Sequence, residues 1–465
     1  MSRKTATAER GRLLKAPENF LPPDFRLAVT KDGLNDARRG FLRRSFASAA
    51  AAVAAGAGLA GTAAAQAPGP SGSLGAGDGE DAILKLPLHS KSLGQPVAAR
   101  PYGLPSQHEQ NLQRRESPGL TRVSASSVSF CPLQGLFGII TPSGLHFERH
   151  HQGWWDIDPS QHRLMVMGLV KRPMVFGMDD LMRLPSVSRM HFIECGANSG
   201  MEWGNVAVPT VQYTHGMLSC CEYTGVRLST LLDMAGFDRK RARYILAEGA
   251  DGAGLTRTIN IENALDDVLV AWGMNGEMLR PENGYPLRLV VPGVQGVSWV
   301  KYLRRIEVGD QPWNSREEAL HYMDLMPDGM HRQYSSIQEC KSVITTPSGG
   351  QVLLDRGFYN VSGLAWSGRG KIRRVDVSFD GGNTWRTARL ETPVLDKCLT
   401  RFNIDWVWDG KPAILQSRAI DSTGYVQPQM RQLRAVRGTR SIYHNNAIQS
   451  WRVAETGEVF NVQVS

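Results

Sequence analysis

The chain has 465 residues, 42% of them hydrophobic and 21% charged, with 53 Lys and Arg against 44 Asp and Glu. That is enough apolar material for at least two cores, which excludes a disulfide-stapled miniprotein and a disordered chain. Eleven of the basic and five of the acidic residues lie in positions 1–67, so the remainder is nearly neutral and carries no basic stripe of the kind that binds nucleic acid.

In chain order, Arg38-Arg39-Gly-Phe41-Leu42-Arg43-Arg44 precedes a stretch rich in Ala and Gly that ends at Ala65-Gln66-Ala67. The pattern predicts a leader over 1–67 with a twin-arginine export signal and cleavage. Alanine and glycine are too weakly apolar to make this stretch a stable membrane anchor. The expected destination is the periplasm, reached by a chain that folds, and takes up any cofactor, before it crosses. Residues 68–130, rich in Gly, Pro, Ser and Gln, predict an extended arm or linker.

From 131 to 325 strand and helix signals mix without regular alternation, an α+β pattern. A strand is expected at 164–170, a short helix at 178–184, an amphipathic helix at 228–235 and a buried strand at 285–293 that contains Arg288. An arginine in so apolar a run calls for an anionic partner. From 335 to 465 short strands separated by turns predict an immunoglobulin-like β-sandwich, with Asp380-Gly381-Gly382-Asn383 as a hairpin turn.

Six cysteines, at 131, 195, 220, 221, 340 and 398, form no CxxC and no CxxCH, so this chain offers no c-type haem attachment. One of them stands apart. In His191-Phe-Ile-Glu-Cys195-Gly-Ala-Asn198-Ser-Gly200 a thiol sits where an apolar strand gives way to a glycine-containing loop. By residue type alone Cys195 is either a small core hydrophobe or a ligand for a soft metal. A zinc site at His146, His150 and His151 lacks the spacing that completes one.

Taken together and in order, these residues resemble the sulfite oxidase family of molybdenum enzymes from about residue 135 to the C-terminus. The resemblance rests on Arg149-His150-His151, Cys195-Gly-Ala-Asn198, Glu248-Gly-Ala-Asp251, Asn283-Gly-Tyr-Pro-Leu-Arg288, Val291-Pro-Gly-Val-Gln-Gly-Val-Ser298-Trp299-Val-Lys301, Leu364-Ala-Trp-Ser-Gly and Asp380-Gly-Gly-Asn-Thr-Trp385. It implies a molybdenum-molybdopterin cofactor with Cys195 as the metal's thiolate ligand. It implies further that His151, Asn198, Asp251, Asn283, Arg288, Ser298, Trp299 and Lys301 bind the cofactor, and that Arg149 and Arg401 stand around an oxyanion substrate. The C-terminal domain would then be a dimerisation domain.

The departures refine the resemblance. Free-sulfite members follow the cysteine loop with two arginines, where Ser199 and Gly200 stand here. The family's tyrosine beside the metal aligns ambiguously around Trp313 to Tyr322, and a histidine of the pterin site is Asn283. Loss of charge and bulk predicts a wide entrance. Within the family this pattern is most similar to the molybdenum subunits of sulfane dehydrogenases. That implies oxidation of a sulfane sulfur carried on a cysteine of a carrier protein, electrons leaving to a c-type cytochrome subunit, and a homodimer within a heterotetramer. The alternatives are a free-sulfite dehydrogenase, a reductase of oxidised methionine, which the complete sandwich disfavours, and a non-catalytic periplasmic binding protein.

Overall fold

A computed structural model describes residues 11–16, 93, 95, 102–117 and 127–464, the last without 207, 321, 334–336 and 440–442. The twin-arginine motif, the cleavage site and most of the expected arm lie outside the described residues.

The first domain is organised around two five-stranded sheets. One runs in the order Thr256–Asn260, Tyr244–Gly249, Leu303–Gly309, Leu164–Gly168, Met174–Phe176, antiparallel except where Leu303–Gly309 lies parallel to Leu164–Gly168. The other places Ser186–Glu194 beside Leu218–Arg227, then Leu269–Met274, whose far side is shared by Glu277–Met278 and Arg288–Val290. Every residue of Leu269–Met274 is buried, which is why that strand reads as an unbroken apolar run. The helix Leu228–Ala235 has the bounds the sequence predicts. Leu228, Leu231, Leu232 and Ala235 turn one face inward, and Gly236, at φ 67°, stops it in the left-handed conformation.

The second domain is a β-sandwich. Lys341–Thr346, Gly357–Trp366, Thr400–Trp408 and Arg389–Leu390 form one sheet, and Arg386–Thr387, Ile372–Ser378, Ala413–Asp421, Ser450–Val453 and Val459–Val462 form the other. Trp366 and Trp451 are fully buried. Gly381 and Gly382 both take positive φ in the expected hairpin turn, where a side chain would be strained.

Three expectations change. From Pro105 onward the stretch expected to be an arm belongs to the same compact unit as both domains. Its Arg115–Glu116 pairs with Val128–Phe130, which in turn pairs with Glu148–Arg149 and so fixes the start of the site. The strand expected over 285–293 is only Arg288–Val290, because Pro286 and Pro292 bring no N–H to a ladder. Within the expected leader, Arg12–Leu13 forms a short parallel pair with Val352–Leu353 of the sandwich.

Candidate functional site

A cleft of about 80 Å³ opens in the first domain, and it is lined by Arg149, His150, His151, Cys195, Asp251, Asn283, Arg288, Trp299, Lys301 and Tyr322, with flanking loop residues. Eight of the eleven residues expected at the site therefore converge, from five separate stretches of chain. Cys195 follows the strand Ser186–Glu194, and its N–H donates to Met217 O at 3.0 Å. The left-handed residue of its loop is Ser199, at φ 63°, whereas Gly196 and Gly200 do not take that conformation. Burial pushes the Cys195 thiol up, so it stays protonated unless a metal displaces the proton.

The floor is cationic and incompletely satisfied. Arg288 is 3% exposed and donates to Asn283 O at 2.9 Å and Trp299 O at 3.2 Å, but its Nε has no acceptor and it forms no ion pair among the described residues. Burial pushes the Arg288 guanidinium down. Lys301 reaches His150 Nδ1 at 2.9 Å and Glu282 O at 3.2 Å. Burial and the neighbouring Arg288 charge lower Lys301 to about 7. A Cβ on Gly284 would meet Lys301 at 3.0 Å, so that glycine lets the lysine stem pass. Among the described residues Asn283 Oδ1 also lacks a partner, as do both amide atoms of the fully buried Gln295, next to the cleft-lining Gly296.

A buried guanidinium with a free N–H and no counter-ion, beside an amide oxygen without a donor, asks for an anionic, hydrogen-bonding group. A pterin carrying a phosphate fits it: Arg288 and Lys301 can neutralise the phosphate, the Asn283 amide can meet a heterocycle edge, and Cys195 offers a soft sulfur to a metal. The zinc alternative fits less well, since both ring nitrogens of His146 and of His150 already have neighbours, Phe147 O and Tyr223 Oη for the first, Lys301 and Glu148 for the second.

Beyond Cys195 the cleft continues into a cavity of about 310 Å³ lined by Arg149, His151, Gln152, Arg316, Tyr322 and Tyr443 among others. Tyr322 stacks on Tyr443 with ring centroids 4.7 Å apart, and Arg257 lies over its ring at 4.8 Å. Burial holds the Tyr322 phenol protonated, far above its ordinary range. Arg316, on the short helix Arg316–Leu320, gives this vestibule a second arginine, so the expected loss of positive charge is partly made good from another element.

Three expected site residues stand elsewhere. Arg401, on the strand Thr400–Trp408, donates to Gly138 O at 2.6 Å, Leu136 O at 3.2 Å and Ser362 Oγ at 3.1 Å, so it pins the 136–138 segment and is not a wall of the cleft. Asn198 uses both ends of its amide to brace its loop, donating to Glu194 Oε1 at 3.0 Å and accepting from the N–H of Met217, just before the neighbouring strand, at 3.1 Å. Ser298 is buried, its N–H bonded to Gln295 O, and does not line the cleft. The sequence reading missed Arg316 and Tyr443 and left Tyr322 open, because no local pattern marks them.

Comparison with known proteins agrees with this geometry. The family described as oxidoreductase molybdopterin binding domain matches residues 151–317, and the Mo-co oxidoreductase dimerisation domain matches residues 334–451. Mitochondrial sulfite oxidase of Mus musculus is 31% identical over 320 residues, covering 63% of this chain and 58% of that protein. The NADPH nitrate reductase of Phytophthora infestans is 30% identical over 312 residues, covering 60% of this chain and 34% of that one. The match thus spans about a third to just over half of those relatives. Among solved structures, the sulfane dehydrogenase SoxCD of Paracoccus pantotrophus matches with a TM-score of 0.82 and 47% identity, over 84% of this chain and 100% of that one.

Proposed function

Since this chain belongs to the sulfite oxidase family of molybdenum oxidoreductases, we propose that it is the molybdenum subunit of a sulfane dehydrogenase. It oxidises the terminal sulfur of a persulfide on a carrier-protein cysteine to the sulfonate level and hands the electrons to a c-type cytochrome subunit. The observation that carries the reading is the position of Cys195, between a cationic cleft suited to a phosphate-bearing pterin and a vestibule with two arginines.

The bound molybdopterin supplies a two-electron oxygen-transfer centre. Arg288 and Lys301 hold its phosphate, and Cys195 holds its metal as the thiolate. Arg149 and Arg316 face the incoming sulfur and stabilise negative charge as oxygens accumulate on it. Tyr322, kept neutral, donates a hydrogen bond and does not add a competing negative charge. In balance, a persulfide anion and three waters give an S-sulfonate, six protons and six electrons, so three two-electron rounds are needed and the carrier must stay or return. The chain's leader sends it through the twin-arginine route to the periplasm, where two copies pair through their C-terminal domains. No helix among the described residues is long and apolar enough to cross a membrane.

A second reading, a free-sulfite dehydrogenase, draws support from the two arginines of the vestibule. The two are separated by turnover of the molybdenum-loaded protein with its cytochrome partner, comparing free sulfite with a persulfide-loaded carrier and using Cys195→Ser as the blank. Fast cytochrome reduction by the loaded carrier alone is expected. Efficient turnover of free sulfite would overturn the sulfane assignment.

A further inference from the structure

Behind the cleft, a buried ion pair crosses from the sandwich to the residue next to Cys195. Glu194 and Lys341 have side chains 4% and 2% exposed, and Lys341 Nζ lies 2.9 Å from Glu194 Oε1. The same ammonium donates to Ser199 Oγ at 2.9 Å. Trp366, opposite Lys341 in the strand register, donates its indole N–H to Glu194 Oε2 at 2.7 Å. The sandwich side grips the loop backbone as well: His444 N–H reaches Gly196 O at 2.8 Å and Asn445 Nδ2 reaches Ser199 O at 3.0 Å.

A buried ion pair is a poor source of stability, because desolvation offsets most of its attraction, whereas it is a precise way to fix geometry. Here it fixes the five residues that carry the one metal-ligating thiol, including Ser199 in its left-handed conformation. We propose that Lys341 is the positioning residue for Cys195, and that the C-terminal domain shapes the metal site through this lysine. The inference rests on the reading of Cys195 as the metal ligand. It gives the sandwich a role in the site that Arg401 was expected to fill and does not.

The bland account is that Lys341 merely staples two domains. Lys397, which pairs with Asp267 at 2.7 Å across the same junction without touching the loop, is the control. Full-length Lys341→Met and Lys397→Met are compared in two ways: the rate of Cys195 alkylation in metal-free chain, and the sulfur-to-molybdenum charge-transfer absorption and metal retention of the loaded protein. Lys341→Met is expected to speed alkylation and to alter the absorption band with a roughly 10- to 100-fold loss of metal affinity, while Lys397→Met leaves both readouts at the wild-type value. If Lys341→Met fails to fold, the double variant Glu194→Gln with Lys341→Met removes both charges together and is read in the same way. Equal alkylation rates and spectra in the lysine variants would overturn the proposal. A changed alkylation rate in a chain that never binds molybdenum would instead overturn the metal reading and leave the loop clamp standing.

Discussion

Lys301 stores the clearest consequence at the scale of one residue. Burial and the Arg288 charge lower its pKa to about 7, so near neutrality it is only partly charged when no anion is bound. An anion beside it raises that value, and binding therefore takes up a proton. Affinity of the metal-free chain for the phosphate-bearing pterin should be fully present below pH 7 and should fall as pH rises above it. Cofactor titrations at pH 6 and pH 8.5 check this, and Lys301→Met should be weaker at both and nearly independent of pH; a flat wild-type profile would remove phosphate from this corner. Arg316, which lines the vestibule, and Arg401, which was expected at the site and stands outside it, predict opposite outcomes. Arg316→Ala should raise KM for an anionic sulfur substrate about 10- to 100-fold, the worth of one charge-assisted hydrogen bond, with little change in Tm. Arg401→Ala should do the reverse, lowering Tm because Gly138 and Leu136 lose their donor, while KM stays put.

Among the elements, the helix Met430–Arg437 and the segment that leads into Lys341–Thr346 are joined through Glu339. It accepts from His444 at 2.8 Å and Tyr425 Oη at 3.2 Å, with Arg437 3.8 Å away. Burial works against its charge, but the His444 bond and the Arg437 charge prevail and hold the carboxyl down to about 2, below its usual 4.5. A depressed carboxyl contributes stability that is fully present above pH 4.5 and is lost as pH falls toward 2. Glu339→Gln should thus cost on the order of 2 kcal/mol at pH 7, and the gap should close by about pH 2, as read by denaturant titrations at several pH values. Elements of this kind were unevenly legible. The helix Leu228–Ala235 could be bounded from sequence because its apolar spacing and Gly236 agree. The strand Arg288–Val290 was overextended because apolarity continues through prolines that cannot pair. Arg115 and Glu116 sit in a polar stretch whose pairing partners come later in the chain, so composition hid their part in the fold.

For the whole molecule, legibility follows distance along the chain. Cys195, Asp251, Asn283, Arg288 and Lys301 each lie in a short motif whose glycines and charges mark it, and the fold gathers them. Arg316, Tyr322 and Tyr443 join the site from the domain junction and the C-terminal domain, where only tertiary structure aligns them. Arg401 was misplaced because order along the chain does not say which face of a strand a residue occupies; opposite Leu364, it points to the 136–138 segment. The junction that misled the sequence reading also predicts how the protein unfolds. A single hydrophobic cluster runs from Cys131 to Val459, through both domains. Across it lie Lys397 with Asp267, Lys341 with Glu194, Asn461 with Glu202 at 3.1 Å, and Arg434 with Trp203 O at 3.0 Å. Neither domain can leave without exposing shared apolar surface and stranding buried charges, each of which costs several kcal/mol. Calorimetry of the metal-free chain should therefore show one endotherm whose calorimetric and van't Hoff enthalpies agree. Lys397→Met should move that single peak down without splitting it; two resolved transitions would mean that the sandwich and the site domain are independent folding units, and that the ties between them only orient the parts.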